Sequence, residues 1–155
     1  MKTLLWTLLS VLLCVLPAKA GFVDSGNGTA TDTVTNLMWQ QCTAGFSGTG
    51  CATDDANPNT YTWENAISYC EGLSLGGFYN WRLPNIKELQ TIVDRTTYSP
   101  AINATYFPNT VASYYWSSTS MMPSATNAWS VEFAEGFVSN PGKQSTYSVR
   151  CIRGQ

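Results

Sequence analysis

Four cysteines, Cys42, Cys51, Cys70 and Cys151, constrain this chain more than any other feature, because of the compartment its N-terminus indicates. The first twenty residues read as a secretory signal peptide. Lys2 supplies the positive end, Leu4 to Leu16 an apolar run, and Ala18-Lys19-Ala20 an A-x-A cleavage site. The run is about thirteen residues, short of the roughly 20 that a membrane-spanning helix needs, so no membrane insertion is expected. A fifth cysteine, Cys14, does not fit a lipid-anchor site, because bulky Leu13 stands where a small residue is required. The expected mature protein is one domain, residues 21–155, exported to the periplasm, the extracellular space or the cell surface.

In an oxidising compartment an even set of cysteines favours disulfides, and four allow three pairings. Cys42 and Cys51 flank TAGFSGTG, a small flexible segment that closes easily into a local loop. That leaves Cys70 to meet Cys151, a long closure worth about 4 to 5 kcal/mol in the chain-entropy account. A four-cysteine zinc site would want a C-x-x-C knuckle, and none is present.

Histidine is absent from the chain. This removes Ser-His-Asp and Cys-His nucleophile pairs, His-ligated zinc and imidazole acid–base chemistry. Carboxylate catalysis would fall to Asp94, Glu132 and Glu135, but the acids are scattered and no pair stands out. The expectation is therefore that the protein is not an enzyme and needs no cofactor. Beyond the leader, Arg82, Lys87, Arg95, Lys143, Arg150 and Arg153 face ten acidic residues. An acidic chain is a poor ligand for nucleic acid or anionic membrane.

The pattern along the chain is strand, helix, strand. FVDSGNGTATDT suggests a hairpin, followed by a turn at Thr35-Asn36 and a strand through Leu37 to Gln40. Asp24, Asn27 and Asp32 there have the residue types of a calcium loop without its spacing, and the same residues are ordinary turn formers. After a polar loop, Thr62 caps a helix with Trp63, Ala66, Ile67 and Cys70 on one face, ended by Gly76-Gly77. Asn85 and Glu88 form a capping-box pair for a second helix, with Ile86, Leu89 and Val93 inward. Pro84 holds Leu83 extended, so that Trp81 and Leu83 enter the core and Arg82 pairs with Glu88 as a strut. An irregular stretch from Asp94 to Ala112 precedes strands at 114–118, 127–133, 136–138 and 147–152. In the third-last and last of these, Trp129, Val131 and Phe133, and Tyr147, Val149 and Cys151, share faces. Trp63, Trp81, Trp116 and Trp129 are assigned to the core. The fold class is α+β, two helices packed on small antiparallel sheets and stapled by disulfides.

Taken in order, FVDSGNGTATDTVTNLMWQ, YTWENAISYCEGL, GGFYNWRLPNIKEL, YWSSTS, NAWSVEF and VRCIRG resemble the Lcl C-terminal domain family, named from a bacterial collagen-like adhesin. The resemblance implies a C-type-lectin-like fold related to formylglycine-generating enzymes, and again pairs Cys70 with Cys151. It also implies an extracellular adhesion role with sulfated glycans as one ligand class, and trimers, although no collagen-like stalk is present. Calcium-dependent lectins use E-P-N or Q-P-D and W-N-D triplets. Phe107-Pro108-Asn109 and Asn127-Ala128-Trp129 lack those carboxylates, so no calcium–sugar site and no metal is expected.

The leading functional expectation is a lectin-like domain that binds a glycan, a glycosaminoglycan or a protein through its loops. Tyr98, Tyr106, Tyr114 and Tyr115 offer rings, Asn103, Asn109 and Asn127 offer amides, and Arg95 and Lys143 offer cations for sulfate or carboxylate. The alternative is a structural subunit of a surface fibre or exported assembly, built as a homo-oligomer.

Overall fold

In the computed structural model, residues 21–52 and 58–154 are described; the signal-peptide segment lies outside them. Strands β1 (Phe22–Asp24) and β2 (Thr29–Asp32) form the expected hairpin. Asp32, fully buried, accepts the Val34 amide and the Thr35 hydroxyl, each at 2.8 Å, and so fixes the turn into β3 (Met38–Gln40). Two helices follow, α1 (Trp63–Glu71) and α2 (Ile86–Thr91). Then come β4 (Tyr114–Ser120), β5 (Ala128–Glu132), β6 (Phe137–Ser139) and β7 (Ile152–Arg153). One sheet has the order β1-β2-β3-β7 and the other β4-β5-β6, with every pairing antiparallel. The protein is α+β with two small antiparallel sheets, two helices and two disulfides.

Cys42 bonds Cys51, and Cys70 on α1 bonds Cys151 beside β7. Around the second bridge pack Ala66, Trp81, Leu83, Trp116 and Val149. A second cluster gathers Trp39, Leu89, Phe107, Tyr115, Val131, Phe133 and Ile152 between the sheets and α2. Trp81 and Trp116 are buried as expected, whereas Trp63 and Trp129 are only half-buried. Trp39 is the buried tryptophan that patterning left out, since its three-residue strand is too short to display a period.

Three local expectations need correction. Thr62 occupies the N-cap of α1, but its side chain makes no capping hydrogen bond. The helix ends at Gly72, and Gly76 and Gly77, with φ of +63° and +85°, instead turn a tight link between Leu75 and Phe78. The expected strand over 147–152 is regular only at Ile152–Arg153. Ser148 bonds Tyr114 and Trp116 in one sheet while Ile152 pairs with Trp39 in the other. The segment thus crosses between sheets and is buried on both sides, which erases any alternation.

The Arg82 region follows the sequence reading closely. Trp81 and Leu83 are buried, and the Arg82 backbone bridges Ile152. Its guanidinium donates to both Glu88 oxygens, at 2.7 and 2.6 Å, while Glu88 also accepts the Asn85 amide at 2.8 Å. Asn85 returns a bond to the Glu88 amide, completing the capping box. Partial burial pushes the Glu88 carboxyl up, but the Arg82 and Asn85 bonds outweigh it and leave the group below its ordinary 4.5. A carboxyl depressed in the folded state stabilises above its unfolded value and loses that contribution as pH falls through the folded value. Glu88→Gln is therefore expected to cost up to about 1 kcal/mol at neutral pH, mainly through the ion pair with Arg82, since glutamine can still accept the Asn85 amide. Denaturant midpoints of the two proteins, measured from pH 6 downward, should begin to draw together below 4.5 and meet once the pH has fallen through the lower folded value. A constant gap across that range would assign the loss to packing.

Candidate functional site

A cleft of about 580 Å³ opens between the β1–β2 turn, the end of β3 and the loop closed by Cys42–Cys51, with Leu75, Thr105 and Pro108 at its edge. Each wall has a local cause. The hairpin turn carries Gly26 and Gly28 at φ of +70° and +83°, and Asp24 Oδ1 accepts the Gly26 amide at 2.8 Å. The Gln41 amide donates to the Gly28 carbonyl at 2.9 Å, which ties the turn to the end of β3. Gln40 is spent on structure, donating to the Tyr69 hydroxyl and accepting the Cys151 amide, each at 3.1 Å. Phe46, Ser47, Gly48, Thr49 and Gly50 form the opposite wall. Their loop needs glycine at Gly45, where φ is +92° and a Cβ would lie 2.6 Å from the Asn59 nitrogen. Phe46 donates its amide to Thr43 and Cys51 to Gly48, so the disulfide closes a loop already turned on itself.

The cleft mixes polar and apolar surface and carries one ionisable side chain, Asp24, among the described residues. The Gly26 amide and then the Gln41 side chain hold the Asp24 carboxyl below the usual aspartate value. Beneath Gln41 lies Arg150, fully buried. Its guanidinium donates to the Gln41 carbonyl at 3.0 Å and to the Thr110 and Thr43 hydroxyls at 2.8 and 3.4 Å. It faces the Phe107 ring at 4.7 Å, and its Nε has no partner. Burial lowers its pKa, with Tyr115 opposing, yet a guanidinium remains charged at any ordinary pH.

The sequence pattern of the Lcl C-terminal domain matches residues 28–153. The chain belongs to the Lcl C-terminal domain family. No curated protein matches it. Membership makes this a surface- or adhesin-related domain, and the two disulfides agree with an exported protein. No described helix is long and apolar enough to cross a membrane.

In this Lcl C-terminal domain the residues expected to bind ligand lie outside the lining of the cleft. Tyr115 must be removed from that set. It is fully buried, edge-on to Phe133, with its hydroxyl bonded to Thr43 at 2.7 Å and to the Val111 amide at 3.1 Å. Its position on β4 turns it inward, while neighbouring Tyr114 turns out against Tyr147. Tyr98 is 83% exposed, and Arg95 nearby donates to the Gly136 carbonyl. Asn127 clamps the Asn140 carbonyl, and the Lys143 ammonium sits 3.9 Å from the Trp63 ring centroid and bonds Ser120. Asn103 caps the turn into Thr105, and Tyr106 packs on Phe22. Asn109 reaches the Cys51 carbonyl at 3.4 Å, so this loop flanks the cleft without supplying the expected side chains to its lining.

The calcium-like trio also separates. Asp24 and Asn27 line the cleft, but Asp32 pairs opposite Phe22 at the far end of the hairpin and serves the next turn. Among the described residues no group of three or more His, Cys, Asp or Glu is placed to hold a metal ion. Of the carboxylates considered for catalysis, Asp94 accepts from Thr96, and Glu132 from the Ala134 and Glu135 amides. The cleft itself escaped sequence reading because glycines, serines and amides from distant segments compose it. The local Cys42–Cys51 loop was the available signal.

Proposed function

We propose that this Lcl C-terminal domain is an exported glycan-binding module that seats its ligand in the cleft beside the Cys42–Cys51 loop. The carrying observation is the lining: Asp24, Asn27, Gln41, Ser47 and Thr49 share with Phe46 a recess of about 580 Å³. Carboxylate, amides and hydroxyls match vicinal hydroxyls, and a ring offers a stacking face for a sugar. A recess of this size falls within the usual range for small-ligand sites. The reading is one of binding without catalysis: glycoside hydrolysis ordinarily takes two carboxyl groups, and among the described residues the lining carries one.

A glycan array probed with the chain from Gly21, with and without chelator, tests this. Binding to at least one oligosaccharide is expected, unaffected by chelator. Phe46→Ala and Gln41→Ala should each weaken it about three- to tenfold, the worth of one contact. A silent array, with ordered polymers in light scattering, would instead favour a structural subunit of a surface assembly.

A further inference from the structure

The charge of the cleft narrows the class of sugar, on the condition that the glycan reading above holds. Among the described residues Asp24 is the ionisable group presented to the cleft, and neither lysine nor arginine lines it. The carboxylate is fixed by the Gly26 amide rather than free to swing away. Exposed Lys87 on α2 and Arg95, which bonds the Gly136 carbonyl, lie outside the lining, and the other cations are engaged elsewhere. Arg82 grips Glu88, Lys143 covers Trp63, and Arg153 lies over Phe78 at 4.0 Å while bonding Asn80. Arg150 is nearest, but it is fully buried and directs its donors at Gln41, Thr43 and Thr110, so it offers a ligand no contact. Phe46 adds a π-face to the same recess, the second element that an ammonium group favours.

From this we infer that the cleft selects an oligosaccharide bearing amino groups and discriminates against sulfated and uronic-acid chains. The carboxylate pairs with a protonated sugar amine, and the same charge repels sulfate.

Calorimetry with three probes reads this out: a β-1,4-linked glucosamine hexamer, its N-acetylated counterpart, and a heparin hexasaccharide, at a pH where the amines are protonated. The glucosamine hexamer should bind about two- to fivefold tighter than the N-acetylated one, as expected for one solvent-exposed ion pair. That ratio should shrink as salt is raised and fall to unity in Asp24→Asn. Heparin should neither bind nor compete. Heparin binding that weakens in Phe46→Ala, or a hexamer ratio indifferent to Asp24→Asn, overturns the inference and leaves the glycan reading standing. Failure of both hexamers also overturns it. The glycan reading falls with it only if the array is silent as well.

Discussion

Replacing Cys70 and Cys151 together with alanine should lower the unfolding free energy by about 4 to 5 kcal/mol. The bridge spans 81 residues, so cutting it releases most of the chain in the unfolded state. Both cysteines are fully buried between Trp81, Trp116 and Val149, and they tie α1 to the segment that crosses between the sheets. Cutting Cys42–Cys51, which spans only 9 residues, should cost less, about 3 kcal/mol in the same account. Its larger effect should be on ligand binding, since it closes the loop that walls the cleft. Guanidinium titrations of the two double-alanine proteins read the difference. Equal losses would mean that loop closure is not the source of the stabilisation.

The second large effect belongs to Arg150. Arg150→Ala should cost about 3–5 kcal/mol, because it strands the acceptors of Gln41, Thr43 and Thr110 and leaves a void beside Phe107. Arg150→Lys should cost nearly as much. A single ammonium cannot reproduce a planar fork that reaches three acceptors, and it pays a larger desolvation cost. Arg150→Met should be the mildest of the three, since it keeps much of the volume and removes a charge whose acceptors are all neutral. Thermal unfolding of the three proteins ranks them. A lysine variant as stable as the parent would contradict the role assigned to the fork.

What could be read directly from the sequence was whatever depends on neighbours in the chain. The Asn85–Glu88 box, the Arg82–Glu88 pair and the β1–β2 hairpin each involve residues a few positions apart, where spacing alone fixes geometry. The family pattern was likewise legible, because it rests on the order of such local pieces. Tyr115 was misjudged because strand alternation assigns a side to each residue without saying which side is covered. Both neighbours of Tyr115, Tyr114 and Trp116, are aromatic and share the opposite face of β4, against Tyr147. In a regular strand over 147–152, Arg150 would stand on the face opposite Cys151, yet a segment passing between two sheets has no open face. The cleft is the extreme case. Gly28 and Gln41, 13 positions apart by residue number, meet through one backbone bond, and the disulfide loop faces them only after folding.

The most direct test of the cleft as ligand seat is backbone amide shift mapping on the chain from Gly21, titrated with an array-selected oligosaccharide. The largest perturbations should cluster at residues 24–28, 40–42, 46–50 and 105, with Tyr98 and Tyr114 unchanged. Perturbations centred instead on Arg95, Tyr98, Tyr114 and Lys143, with a silent 46–50 loop, would contradict the account and return the binding surface to the exposed tyrosine loops.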